Sequence, residues 1–211
     1  MRSTGLLVFA CATALTFAAC NRDARDDARM DPANETGRTE VGTSGQTIVE
    51  HGVDGDARNF AQQASKHNAA EIELGKLASE RAQSQDVKQF AQMMVQDHTK
   101  GLDALKQNVG SHGLQLNTEL PDESEELMNK LRTLRGAEFD REYMDAMVKG
   151  HQEMKAMVSG RVDEAREEKT FSPLEAAANQ WATNTLPTVE RHLQKAQQIH
   201  DKLKSSGNSS Y

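Results

Sequence analysis

Features of nucleic-acid binding and disulfide-stabilised proteins are scarce in this chain of 211 residues. It contains two cysteines, both within the first 20 residues, and 4% aromatic residues. No run of five basic residues occurs, and the formal net charge is -7. An acidic chain of this kind is not expected to bind nucleic acid. Valine and isoleucine are sparse while alanine, glutamate, lysine and leucine are plentiful, a composition that favours helix over strand.

Several kinds of catalytic motif are also missing. The sequence has no glycine-rich phosphate loop and no nucleophile-elbow serine, and no cysteine follows residue 20. The chain that follows residue 20 therefore has neither a disulfide nor a thiol nucleophile. The stability of the chain must then come from a hydrophobic core or from a metal.

Residues 1–20 form a predicted secretory signal, with Arg2 before an apolar stretch that is too short for a comfortable membrane span. They end in Phe17-Ala18-Ala19-Cys20, which resembles a bacterial lipoprotein cleavage box. We therefore predict lipidation of Cys20 and a lipid anchor in the membrane, with an ordinary signal peptide as the alternative. The predicted location is the periplasm-facing cell envelope, as an outer-membrane lipoprotein or otherwise as a periplasmic protein. The sequence identifies no protein partner.

Residues 21–54 are charged and rich in glycine and threonine, so they are predicted to be a disordered tether. Residues 55–204 are predicted to form an all-α, ferritin-like antiparallel four-helix bundle. Residues 205–211 are predicted to fray. The predicted helices are A (56–81), B (Ser84 cap to about Gly110), a short extra helix (from Pro121 to before Gly136), C (137–165) and D (from Ser172-Pro173, with a kink or brief break at Pro187).

Polar residues interrupt the apolar stripe of each long predicted helix. His98 lies where a leucine would be expected, between Met94 and Leu102. A buried imidazole without a partner costs about 1–3 kcal/mol, so these side chains need partners. The residues predicted to share one layer of the bundle are Glu71, His98, His151 and His192.

Three imidazoles and one carboxylate suit a mononuclear divalent metal, zinc most simply, with iron, manganese or copper also possible. His67 and Asp97 are possible further ligands, and Asp97 can instead orient an imidazole from outside the ligand set. The alternative is four separate polar residues with local hydrogen bonds. Methionines near His151 would suit copper(I), although methionine is more often a core filler.

A dinuclear carboxylate centre is disfavoured by the spacing. Such centres need Glu-x-x-His on two helices. Three residues before His98, His151 and His192 the sequence has Val95, Val148 and Val189.

The motifs resemble the bacterial family called domain of unknown function 4142, over about residues 55–204. The resemblance rests on Glu71–Ala78, Met94–Lys100, Phe139–Met144 with His151-Gln152, and Leu186-Pro187 with His192-Leu193. It implies a ferritin-like bundle that is exported, and it marks Asp97, Asp140 and Tyr143 beside the four layer residues. It implies no activity.

The sequence is compatible with three functions. The first is a metal-binding bundle with a buffering, sensing or structural role. The second is a metal-free envelope or stress-related interaction module, and the third is a mononuclear metal oxidoreductase or hydrolase. Because four ligands already complete a tetrahedron, the sequence favours binding over catalysis.

Overall fold

The computed structural model describes residues 47–208, and the side chains of residues 54–206. This part of the chain consists of five helices and contains no strand. No helix within it combines the length and apolar character needed to cross a membrane. The helices are α1 (Thr47–Arg81), α2 (Gln85–Gly110), α3 (Asp122–Thr133), α4 (Gly136–Glu167) and α5 (Pro173–Asn208).

The four long helices form an antiparallel bundle, which confirms the predicted fold class. Contacts across α1 and α4 run in opposite directions along the chain, since Gln83 meets Asp140 while Phe60 meets Arg161. The same holds for α2 and α5, where Asp86 pairs with Lys202 and Gly101 meets Trp181. The other two neighbouring pairs are α1 with α2 and α4 with α5. The two helices of each pair are joined by a short connection, so they are antiparallel as well. The predicted extra helix, α3, lies in the connection from α2 to α4.

The hydrophobic core consists of two separate clusters, one toward each end of the bundle. The first contains Phe60, Leu105, Met154 and Trp181, and the second contains Phe90, Phe139, Tyr143 and Ile199. Each long helix passes from one cluster to the other across polar residues near its middle. Those buried polar residues are Asn68 and Glu71 on α1, His98 on α2, His151 on α4 and His192 on α5.

The turn between α1 and α2 is held by a carboxylate from α4. The Asp140 side chain is buried and accepts hydrogen bonds from the backbone N–H groups of Gln83 (2.9 Å) and Ser84 (2.7 Å). The predicted N-cap residue of α2, Ser84, makes no side-chain capping bond. Asp140 binds instead the two backbone N–H groups that precede α2, because a carboxyl group offers two acceptor oxygens.

Helix α5 begins as predicted and continues further than predicted. The Ser172 hydroxyl accepts a hydrogen bond from the backbone N–H of Glu175 at 3.1 Å, as an N-cap residue does. The helix then continues through Pro187, so of the predicted kink or brief break the break is absent.

Two further boundaries differ from the sequence prediction. Helix α1 begins at Thr47 and not at Asp56, and α5 continues to Asn208, past the residue 205 where fraying was predicted. In α3, Met128 is buried with Leu131, while Leu127 and Leu134 are only partly buried. Residues 1–46, with Cys20 and most of the predicted tether, lie outside the described part.

Gly75 lies where α1 packs closely against α2, and Gly160 of α4 is a comparison at an open position. A Cβ at Gly75 would lie 2.9 Å from Val95 Cγ2 and 3.0 Å from the Ala91 carbonyl oxygen, whereas a Cβ at Gly160 would meet nothing within 4 Å. Gly160→Ala is expected to raise the free energy of unfolding by about 0.5–1 kcal/mol, because alanine is the better helix former. Gly75→Ala is expected to lower it by about 1–3 kcal/mol, because the helices must separate. Urea unfolding measures both, and stabilisation of equal size by both variants would contradict the close approach.

Candidate metal centre

Three histidines from three helices meet in the polar layer. His98, His151 and His192 are all buried, and each offers a ligand nitrogen within 4.8 Å of the other two. The ring centroids are 5.4–5.5 Å apart. His98 Nε2 and His151 Nε2 lie 3.4 Å apart. We call these three side chains the histidine trio.

The outer nitrogen of His98 is bound by an asparagine of α1. Asn68 Nδ2 donates to the Ala64 carbonyl oxygen at 2.7 Å, which fixes the orientation of the amide. Its Oδ1 therefore faces His98 Nδ1, at 3.0 Å. Because an amide oxygen only accepts, His98 must carry its proton on Nδ1, and its Nε2 presents a lone pair.

The other two rings are oriented in the same way. His151 Nδ1 donates to the Met147 carbonyl oxygen at 2.9 Å, one turn back along α4, which leaves Nε2 unprotonated. His192 Nε2 lies 3.0 Å from Asp97 Oδ2 and donates to that carboxylate, which leaves Nδ1 unprotonated. This Nδ1 is buried and has no hydrogen-bond partner among the described residues.

The trio therefore directs three lone pairs at one another with no proton between them. Two acceptor nitrogens at 3.4 Å repel, and a buried acceptor without a donor costs about 1–3 kcal/mol. Outer acceptors that fix the tautomer and leave the inner nitrogen free are the usual surroundings of metal-binding histidines. The arrangement is suited to a Lewis acid at its centre.

Electrostatics keep the trio neutral. Burial lowers the pKa of His151 to about 3 and places the pKa of His98 well below its usual value, with repulsion from the neighbouring imidazoles adding to both. Burial also lowers the pKa of His192, although its hydrogen bond to Asp97 and the charge of that side chain act in the opposite direction. At neutral pH all three rings are in the form that binds metals.

The spacing of the nitrogens fits a small divalent ion. Zinc–nitrogen bonds of about 2.0–2.1 Å in a tetrahedron place two ligand nitrogens about 3.3–3.4 Å apart, and the His98–His151 pair already has this separation. All three ligand nitrogens lie within 4.8 Å of one another, so a bound ion would draw the nitrogens that are further apart closer together. Imidazole ligands suit zinc, copper, iron or nickel.

Glu71 lies next to the trio and not within it, which differs from the predicted four-residue ligand set. Its Oε1 is 3.8 Å from His151 Nδ1, the nitrogen that donates to Met147, and 3.6 Å from His67 Nε2. Burial raises the pKa of Glu71 to about 8 and lowers that of His67 to about 4. A protonated carboxyl and a neutral imidazole thus form a separate pair, in which Glu71 Oε2 and His67 Nε2 have no hydrogen-bond partner among the described residues.

Asp97 and Tyr143 are two further residues that the sequence marked. Asp97 takes the second of its predicted roles, because it orients His192 from outside the trio. The Tyr143 hydroxyl, at a position that the family resemblance marked, is buried without a partner in the described part of the chain. Burial, and secondarily the charge of Glu71, raises the pKa of Tyr143 well above its usual value.

A cleft of about 350 Å³ between α2 and α5 leads to the trio. His98, His192 and Asp97 line its inner end, and Lys100 and Arg191 contribute positive charge. A ligand in this cleft would reach two of the three histidines from one side.

Asn68 is the one orienting residue that the sequence analysis missed. It lies four residues after Ala64 and three before Glu71, so it satisfies the same helical spacing as His67. That spacing could have indicated Asn68 as a buried polar residue. His67, which was predicted as a possible ligand, has a side chain that is 23% exposed.

The comparisons with known proteins identify a family and a fold. Residues 43–199 match the family profile described as domain of unknown function (DUF4142). No curated protein matches this sequence significantly. One similar solved structure is a DUF305 protein from Streptomyces coelicolor that is described as secreted. It superposes with a TM-score of 0.57 at 17% identity, covering 71% of this chain and 92% of that one, which supports the ferritin-like fold.

The shifted pKa values predict how the stability of the metal-free domain depends on pH. The folded pKa values of His67 and His151, about 4 and about 3, lie below the roughly 6.5 of an unfolded histidine. Below pH 6.5 the unfolded chain therefore binds more protons, and the free energy of unfolding falls as pH falls. Glu71 acts in the opposite sense, since its folded pKa of about 8 exceeds its unfolded value. Between these two values the folded chain holds the extra proton, and stability falls as pH rises to 8.

We therefore expect maximum stability near pH 6.5 in the presence of a chelator. Each group contributes up to about 1.4 kcal/mol per pH unit. Glu71→Gln should remove the loss of stability between pH 6.5 and 8, and His112→Gln, at an exposed site, should change neither side of the profile. Denaturant unfolding across this pH range measures the effect. A steady rise of stability from pH 6.5 to 8 would contradict the neutral state of Glu71.

Proposed function

This chain belongs to the DUF4142 family, and we propose that its helical bundle binds one divalent metal ion at His98, His151 and His192. Zinc is the simplest occupant for three neutral imidazoles, and iron, manganese and copper are the other ions to be tested. The role that follows is metal binding for buffering, sensing or structure.

One observation carries this proposal. All three trio residues have their outer nitrogen bound by an acceptor, so all three inner nitrogens are unprotonated and face one another. A structural histidine in a core needs only one good partner, and random polar residues would rarely leave three lone pairs directed at one point. A cation at that point removes the repulsion and satisfies His192 Nδ1, which otherwise has no partner among the described residues.

We further propose that the protein is exported and anchored by lipid at Cys20. The sequence of residues 1–20 supports this, because an apolar signal ends in small residues before a cysteine. The similar DUF305 structure comes from a protein described as secreted, which is consistent with export. Residues 21–46 would then connect the anchor to the bundle.

A second candidate function is that of a mononuclear metal enzyme. The observation in its favour is that three residues, and not four, form the trio, so a tetrahedral ion would keep one position for water or substrate. The cleft between α2 and α5 supplies space beside that position. A cobalt-loaded protein whose visible spectrum shifts on addition of a small anion would favour this candidate over a closed structural site.

Zinc binding is the direct test. The protein purified without an affinity tag should bind one zinc per chain by calorimetry and elemental analysis. Its free energy of unfolding should rise by about 2.7 kcal/mol at a zinc concentration of 100 times Kd. The variant carrying His98→Ala, His151→Ala and His192→Ala should lose both effects.

Matched controls use histidines outside the trio. His112→Ala and His200→Ala, at the surface and partly exposed, should bind zinc like the wild type. Asp97→Asn should weaken zinc binding about 10- to 100-fold, because it removes the charged acceptor of His192. Equal heats for the wild type and the triple variant, with a melting temperature indifferent to chelator, would favour a metal-free interaction module.

The anchor is tested separately. Cys20→Ser should abolish incorporation of labelled fatty acid and release the protein from the membrane fraction, because the lipid-bearing thiol is removed. Cys11→Ser is the matched control and should remain in the membrane fraction. Soluble wild-type protein in a cell fractionation would contradict lipidation.

A further inference from the structure

A second cleft of about 350 Å³ approaches the polar layer from the side of α1, α3 and α4. Its lining is acidic, with five acidic side chains and one lysine, Lys149. The acidic side chains are those of Glu123, Glu142, Asp145 and Glu153 and the buried Glu71, which is protonated at neutral pH. Such a cleft concentrates cations, because field lines are focused between low-dielectric walls.

The inner end of this cleft has unsatisfied ligand atoms. Glu71 is 3% exposed, lines the cleft and has no partner for Oε2 in the described structure. His67 Nε2 is also without a hydrogen bond and lies 3.6 Å from Glu71 Oε1. Gly150 keeps this place open, since a Cβ there would lie 3.1 Å from Glu71 Oε1 and 3.6 Å from His67 Cε1. A cation that binds here displaces the carboxyl proton of Glu71, and the resulting carboxylate and the neighbouring imidazole form a partial binding set for a divalent cation.

The two clefts differ in charge. The cleft between α2 and α5 has Lys100 and Arg191 against Asp97, so it does not attract cations. The acidic cleft ends at Glu71, whose Oε1 is 3.8 Å from the His151 ring. A cation drawn into the acidic cleft would therefore meet Glu71 and His67 first and the trio next.

We propose that the acidic cleft is the access route for the divalent cation, and that Glu71 and His67 form a first binding position from which the ion moves to the trio. This inference rests on the proposed function of the trio. Glu71 thus has a kinetic role beside the site and is not a ligand of the ion in its final position.

Stopped-flow binding of Co²⁺ tests this route, because tetrahedral cobalt absorbs in the visible range. Glu123→Gln with Glu153→Gln should slow association about tenfold, as expected when electrostatic steering is lost. The final occupancy and spectrum should not change. Glu71→Gln should also slow association and leave the spectrum of the bound ion unchanged.

Two matched controls make the test specific. Glu125→Gln with Glu126→Gln removes the same charge from exposed positions of α3 outside the cleft, and Lys100→Gln changes the other cleft; both should bind as fast as the wild type. Equal rates in every variant, or a changed spectrum in Glu71→Gln, would overturn the access route while the trio remains a metal site. Absence of cobalt binding by the wild type would overturn the proposed function and this inference together.

Discussion

The arrangement on which the rest of this structure depends is the mutual orientation of three neutral imidazoles. Each ring is fixed from outside by an acceptor of a different kind: an amide oxygen, a backbone carbonyl and a carboxylate. Amide, carbonyl and carboxylate oxygens accept hydrogen bonds and do not donate them. A ring that changed its tautomer would therefore lose the hydrogen bond to its outer acceptor. The inner nitrogens must then be satisfied by something positive. A proton is disfavoured, because burial lowers all three pKa values.

The clefts on the two sides of the trio differ in charge. On the side of α1 and α4, carboxylates line a cleft that ends at Glu71. On the side of α2 and α5, the cleft near His98 and His192 includes Lys100 and Arg191. A cation and an uncharged or anionic ligand would therefore approach the same layer from opposite sides, which is a suitable arrangement for a centre that exchanges either one.

Helical periodicity was enough to predict the trio and not enough to predict its surroundings. The spacing of apolar residues showed that His98, His151 and His192 face the core, and the positions along each helix showed that they share a layer. Glu71 also has the spacing and the position along its helix that predict a place in this layer. It nevertheless lies beside Nδ1 of His151, the nitrogen that points away from the trio. Periodicity gives the face of a helix and not the distance to a neighbouring ring. Asp140 was marked only by the family resemblance, with no partner predicted, and in the structure it binds the turn between α1 and α2. Such contacts join residues more than 50 positions apart, which local patterns do not report.

The division of the core into two clusters has a consequence for how the helices align. If α2 or α5 slid along its neighbours by a turn, about 5.4 Å, its histidine would move into one of the two hydrophobic clusters and lose the acceptor that lies on another helix. Alanine, leucine and methionine tolerate such sliding, because many of their contacts are interchangeable. His98 and His192 do not, since the acceptor of each, Asn68 or Asp97, lies on a different helix. The residues that could hold an ion therefore also select a single lengthwise arrangement of the bundle.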